Sequence, residues 1–313
     1  MGAIGIFLAA AVGTLAIGMV SSWVDRKVTA RVQYRVGPPF FQPVYDIAKL
    51  LGKETLLPER AKGRGFLLAP VVGFAAAAVG AAIVWHANIR PAEGFVGDLI
   101  VLLYVLTIPA IAAIYGALAS GSPHATFGAS REMKLLMSYE LPLVLAVLVP
   151  VVQVVKGGGG ATFSIGQLVT FQQANGWALF SLSGVIATAV ALLCIQAKLT
   201  LVPFDLPEAE TELMGGAHLE YSGPPLAMIK LTRFLLLAVS PVFLATLFVG
   251  GLGDAASGWS WLALAGKFVA FLVLVVLIRN TNPRIRIDQA VRFFWFRMTP
   301  LAAVALVLAW LGY

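Results

Sequence analysis

Residues 203–225 read PFDLPEAETELMGGAHLEYSGPP and lie between two long apolar runs. Five carboxylates fall in this stretch: Asp205, Glu208, Glu210, Glu212 and Glu220. Acidic side chains at a membrane boundary are costly to hold, so a cluster of them marks a functional site by default. The flanking runs decide the fold. Working outward from them, eight apolar runs recur along the chain: Ile4–Val24, Phe66–Trp85, Leu99–Leu118, Leu135–Val155, Trp177–Ile195, Leu226–Val249, Leu262–Ile278 and Phe293–Leu311. Helices of roughly twenty apolar residues span a bilayer core. The chain has 59% hydrophobic and 12% charged residues, against about 25% charged in soluble domains. The pattern predicts an all-α polytopic membrane protein with about eight transmembrane helices. The last run is the weakest, because Arg297 interrupts it and clean apolar sequence begins at Met298. The first follows Met1 without a basic leader or a convincing cleavage site, and reads as a retained helix. No soluble segment is large enough to fold alone, so residues 1–313 read as a single integral membrane domain.

A net charge of +7 could suggest a nucleic-acid partner, but its placement argues otherwise. Of the 22 Lys and Arg residues, 17 fall on the odd-numbered loops, and the opposite loops hold only Arg90 and Lys156. By the positive-inside rule these odd loops are cytoplasmic, which puts both termini outside a plasma (inner) membrane. Segments 25–65, 120–134, 198–225 and 279–292 then form a cytoplasmic docking face. The basic balance is topology. The single cysteine, Cys194, lies inside run five and reads as a small buried apolar residue. One thiol cannot hold an iron–sulfur cluster or a structural zinc. The three histidines, His86, His124 and His218, are far apart with no ligand spacing. The chain is therefore expected to carry no cofactor of its own, and any electrons travel through a partner.

The first inner loop contains GPPFFQPVYDIAKLLGKE at 37–54. Pro43 suits a first helical position. Val44, Ile47, Ala48 and Leu51 then share one face, with Asp46, Lys49 and Lys53 opposite. This spacing predicts a short amphipathic helix in the membrane interface, which either anchors the chain or docks a partner. Docking is expected to involve Arg35, Gln42, Asp46, Lys49, Lys53 and Glu54, with Arg131, Arg284 and Arg286 on the other inner loops.

In the acidic stretch, Pro207 can open a helix whose first turns hold Glu208, Glu210 and Glu212. The helix dipole explains one or two such acids, but five within sixteen residues are explained poorly by capping. Glu208 and Glu212, four apart, repel, and packed carboxylates of this kind titrate as a coupled set. Proton handling is the expected role. Glu140 sits more than a turn inside run four, where an unpaired charge costs roughly 2.5–3.5 kcal/mol; it must pair, protonate or meet a hydrated cavity. Lys230 reads as a snorkelling lysine, Arg233 as a partner for a cluster carboxylate, and Lys267 as either a relay member or a second snorkelling lysine. Arg131 and Glu132 could pair locally or guide protons toward Glu140. Neither a dinucleotide fingerprint nor a P-loop occurs.

Three motifs together resemble one family over nearly the whole chain: the 37–54 segment, GASREMKLLMSYE at 128–140, and the 203–225 segment. It is the membrane subunit joining the hydrophilic and membrane arms of respiratory complex I, with its counterpart in group 4 membrane-bound [NiFe] hydrogenases. GDLIVLLY at 97–104, SGSPHATFGASRE at 120–132 and NTNPRIRID at 280–288 resemble the hydrogenase branch, which includes formate hydrogenlyase and energy-converting hydrogenases. Complex I subunits typically carry a glutamate thirteen residues after the Glu-Tyr pair; here Arg233 stands at that position. The resemblance implies an ion-translocation coupling subunit. Its partners would be an iron–sulfur small hydrogenase subunit, a NiFe large subunit and antiporter-like membrane subunits, the metal centres residing in those partners. Asp205, Glu208, Glu210, Glu212 and Glu220 would form the inner cluster, and Glu140 the intramembrane path. The alternatives are a complex I-type subunit lining a quinone site, a subunit of a related sulfur-reducing complex, or a stand-alone transporter, against which the missing internal repeat argues.

Overall fold

A computed structural model describes residues 3–61, 63–95, 97–208, 214–253 and 255–313, without the side chains of Ala3, Ile4 and Ile6. Helices account for every regular element among them. In chain order these are α1 (Ala3–Val32), α2 (Gln42–Leu51), α3 (Gly63–Ile89), α4 (Asp98–Val105), α5 (Ile108–Ala119), α6 (Pro123–Lys156), α7 (Ile165–Asn175), α8 (Leu182–Lys198), α9 (Gly223–Phe248), α10 (Gly258–Thr281), α11 (Ile287–Phe293) and α12 (Thr299–Leu311). Among the described residues, seven spans are long and apolar enough to cross a membrane, with α4–α5 and α11–α12 each making one; α8 is a shorter apolar helix. Each of the eight apolar runs therefore lands on a helix or a helix pair, and the chain is a multi-pass membrane protein.

α9 is the central helix. Its apolar window is 89% buried, whereas the windows of α1, α10 and α11–α12 are 28% buried and turn most of their apolar surface outward. α1 and α3 pack against it, α5 packs on α3 and α6, and α6, α8 and α12 form a second group. In lipid no hydrophobic force drives helices together, so close backbone approach matters. Gly18 of α1 is such an approach: a Cβ there would overlap the Phe234 carbonyl of α9.

Several helix boundaries depart from the apolar runs. The third run breaks between α4 and α5, because Pro109 cannot donate to the turn before it and its ring displaces the carbonyl four residues back. Thr107 occupies the break, and its hydroxyl lies 2.9 Å from Leu103 O. Trp177, the expected start of the fifth run, instead precedes a short 3₁₀ turn, Ala178–Phe180, and α8 begins at Leu182 with Ser181 as its N-cap. The eighth helix starts earlier than clean apolar sequence suggests. A π turn over Phe294–Met298 joins α11 to α12 and leaves Arg297 exposed, a π insertion being one way a helix absorbs an ill-fitting residue. α7 lies in the loop between the fourth and fifth apolar runs. There Gln172 donates to Leu247 O at 2.7 Å and Gln173 to Gly250 O at 3.1 Å, covering carbonyls at the end of α9.

Candidate functional site

The inner loops are stitched to one another by contacts that no local pattern announces. Ser222 accepts from Leu56 N at 3.0 Å and donates to Glu54 O at 3.4 Å, fastening the first loop to the acidic stretch. Tyr221 stacks on Phe66 with ring centroids 4.1 Å apart and donates to Phe66 O at 3.0 Å. Ile285 N donates to Pro203 O at 3.3 Å, and Arg284 Nη2 donates to Asp205 O at 2.7 Å. Gly128 of α6 lies directly under Gly216 and Ala217, where a Cβ would come within 2.8 Å of the Gly216 carbonyl carbon. All four inner segments thus meet.

Beneath them lies a cavity of about 510 Å³, open to one side. Its lining is mixed: Ala69, Leu106, Pro109, Phe234 and Leu237 contribute apolar surface, and a set of ionisable groups contributes polar surface. Arg233 pairs with Glu208, and Arg284 Nε lies 3.1 Å from Asp205 Oδ1. Arg279 pairs with Asp25, and Arg26 Nη1 donates to Asp46 Oδ2 at 2.9 Å. Lys198 reaches Glu140, with 3.1 Å between Nζ and Oε1. Lys230, Glu132 and His218 complete the lining. Cations and carboxylates therefore alternate, which is how charge is kept in a weakly hydrated interior where a lone ion would be expelled or neutralised.

Around His218 the electrostatics are readable outside the spans. Burial pushes the imidazole down to about 4 from its ordinary 6.5, against the opposing pull of the Glu132 charge. Glu208 stands 3.4 Å from His218 Nε2, but its charge is already met by Arg233. His218 is thus neutral at pH 7. A lowered imidazole value means the unfolded chain takes the proton first, so stability is intact above about pH 7 and declines as pH falls from 6.5 toward 4. Between pH 7.5 and pH 5 the wild type should lose about 2 kcal/mol more than a His218→Gln variant. Thermal melting of the assembled complex at the two pH values checks this; equal losses would contradict it. At Asp46, burial raises the carboxyl, yet the hydrogen bonds from Arg26 and Gln42 and the charges of Arg26 and Lys230 outweigh it and hold it below its ordinary value.

The sequence-derived candidates divide. Asp205, Glu208 and Arg233 meet at the cavity, and Glu140 meets it through Lys198. Lys230 lines it, and Glu220 is half-buried. Glu210 and Glu212 lie outside the described residues, and so does most of the helix expected after Pro207, of which a 3₁₀ turn over Leu206–Glu208 is seen. Lys267 does not reach toward this ring: its ammonium donates to Val249 O at 2.7 Å and Gly251 O at 2.8 Å and sits 5.0 Å from the Trp177 ring centre, tying down the loop after α9. The helix opened by Pro43 is present as α2, but only Ile47 of its apolar face is buried; Val44, Ala48 and Leu51 are exposed.

Among the expected docking residues, Arg35, Lys49, Lys53, Glu54 and Arg286 are exposed. Asp46 and Gln42 instead engage each other at 2.8 Å, and Arg284 is held by Asp205. Arg131 is partly exposed beside the buried Glu132. Sequence reasoning passed over Lys198, His218 and the Asp25–Arg279 pair as members of the site. A lysine closing an apolar helix looks the same whether it snorkels or turns inward.

A cavity ringed by ion pairs within a bundle of membrane helices defines a polytopic membrane protein built to keep charge in a lipid-bounded interior. The chain belongs to the NADH dehydrogenase family, whose model matches residues 4–310. Among curated relatives, an NADH-quinone oxidoreductase subunit of Thermomicrobium roseum is 36% identical over 306 residues, covering 90% of this chain and 87% of that protein. The same subunit from Geobacillus thermodenitrificans is 34% identical over 297 residues, covering 91% and 86%. Among solved structures, a chain of the membrane-bound sulfane sulfur reductase, an archaeal respiratory membrane complex, superposes with a TM-score of 0.88 at 26% identity, covering 99% of this chain and all of that one. These similarities favour the complex I-type and sulfur-reducing alternatives over the hydrogenase branch expected from the shorter motifs.

Proposed function

We propose that this chain is the membrane coupling subunit of a complex I-like respiratory oxidoreductase. In this reading, electrons delivered by an iron–sulfur subunit docked on the four inner segments reduce an acceptor at the cavity, and the change in charge is passed to ion-translocating membrane subunits. The observation that carries it is the 510 Å³ cavity, which Asp205, Glu208, Arg233, Glu132 and His218 line and from which Lys198 connects to Glu140 deep in α6. An acceptor with a polar head and an apolar body, such as a quinone, matches this mixed lining. Its head would find donors in Arg233, Lys230 and Lys198, and its body apolar contacts such as Ala69, Leu106 and Leu237. The relatives of similar length that act on quinone support this acceptor.

A second reading has its own support. Arg233 replaces a glutamate expected of complex I subunits, and the close structural resemblance to the sulfane sulfur reductase favours a sulfur-reducing acceptor. Hydrogen chemistry in a NiFe partner is the least supported of the three. The placement of the inner segments in the cytoplasm, with both termini outside, rests on their basic residues.

Purification of the chain with its natural partners tests the proposal. Reduced donor should be oxidised when quinone or a sulfane sulfur compound is added, and the reaction should move ions across sealed vesicles. Hydrogen evolution without either acceptor would return the reading to the hydrogenase branch, and a chain isolated without redox partners would overturn it.

A further inference from the structure

We infer that Lys198 is a positioning residue that gates Glu140, pairing with it at rest and releasing it to take up a proton when negative charge arises in the cavity. The inference deepens the coupling role proposed above. Its ground is the geometry at the break between α4 and α5.

Lys198 is the last residue of α8, and its side chain is 5% exposed, less than the 25% of its partner Glu140. Its Nζ donates to Glu140 Oε1 at 3.1 Å and to Thr107 Oγ1 at 3.2 Å. Thr107 Oγ1 is also 2.6 Å from Glu140 Oε1 and 2.9 Å from Leu103 O. The hydroxyl has one hydrogen, so it can serve only one of those acceptors at a time. When it serves Glu140, a single carboxylate oxygen receives both the hydroxyl and the ammonium. While the ammonium stays, that oxygen is occupied by two donors; once it leaves, the hydroxyl can turn to Leu103 O and the oxygen is open to a proton.

The ammonium has somewhere to go. Lys198 also lines the cavity, together with Thr200 and Asp205, on a flexible four-carbon stem. The nearby carboxylates do not hold it there, since Asp205 is met by Arg284 and Glu208 by Arg233. A negative charge formed on a reduced acceptor is the missing attraction. Drawn toward it, the ammonium leaves Glu140, which then takes a proton from the path; when the acceptor is itself protonated and departs, the ammonium returns and Glu140 gives the proton up. Within this chain only the O–H of Glu140 is made and broken; the acceptor keeps the electrons and takes its own protons from water at the open side of the cavity.

The test is infrared difference spectroscopy on the purified complex. In the wild type, reduction should produce a protonated-carboxyl band that is absent from Glu140→Gln. In Lys198→Met, of similar length and no charge, that band should already be present at rest and should not grow on reduction. Lys198→Arg should restore the wild-type pattern, and ions moved per electron pair should fall at least tenfold in Lys198→Met. A Glu140 that stays ionised at rest in Lys198→Met would overturn the inference, as would a reduced wild type with no such band. The wild-type measurement stands even where the methionine variant does not assemble. The resting comparison needs no acceptor, so its failure is separable from a failure of the proposed reaction.

Discussion

Glu140→Gln should leave the complex assembled and lower ion translocation per electron pair at least tenfold, read in sealed vesicles from the same preparation that gives the rate of donor oxidation. Glutamine keeps the volume of the side chain and an oxygen that accepts from Thr107 and Lys198, but it cannot carry a proton. Removing one partner of a buried ion pair costs about 3–5 kcal/mol when the other is left bare. The amide dipole offsets part of that, so the melting temperature should fall by a few degrees while assembly survives. Glu140→Ala removes charge and acceptor together and should lose assembly. An unchanged ion-to-electron ratio in Glu140→Gln would remove Glu140 from the path.

Gly216→Ala should have the largest effect on folding. Gly216 adopts φ +57°, and a Cβ there would run into the Pro207 carbonyl. A left-handed conformation costs an L-residue about 1–2 kcal/mol, and displacing packed backbone costs about as much again. The expected loss is therefore about 3 kcal/mol, felt where the turn Gly216–His218 seats on Leu206–Glu208 and on Gly128. Little assembled complex should be recovered from membranes. Gly13→Ala, in open space on α1, serves as the control. Equal yields from the two variants would show that the turn does not hold the acidic loop in place.

Much of the architecture was legible because crossing a bilayer demands long apolar helices, and each of the eight runs became a span or a short apolar helix. The break at Thr107 was also readable in principle, since Pro109 stands inside the third run. The start of α8 was not: Trp177 and Phe180 are apolar, yet their stacked rings, 5.2 Å apart, flank and close a 3₁₀ turn ahead of the helix. At the site, the pairing of Arg233 with a cluster carboxylate followed from its depth in a helix with acids nearby. Lys198 is separated from Glu140 by 58 positions and Asp25 from Arg279 by 254. Nothing local specifies such partners. They are chosen by which helices pack together, and hydropathy is silent about that. Lys267 shows the same blindness from the other side: relay member and snorkelling lysine look alike in an apolar run, and its partners prove to be backbone carbonyls.

The most direct measurement is the number of ions moved per electron pair by the wild-type complex in sealed vesicles, supplied with its donor and acceptor. The account predicts a fixed, non-zero ratio that collapses in Glu140→Gln and in Lys198→Met. Electron transfer at full rate with no ion movement would contradict it, and the paired charges around the cavity would then be part of the scaffold alone.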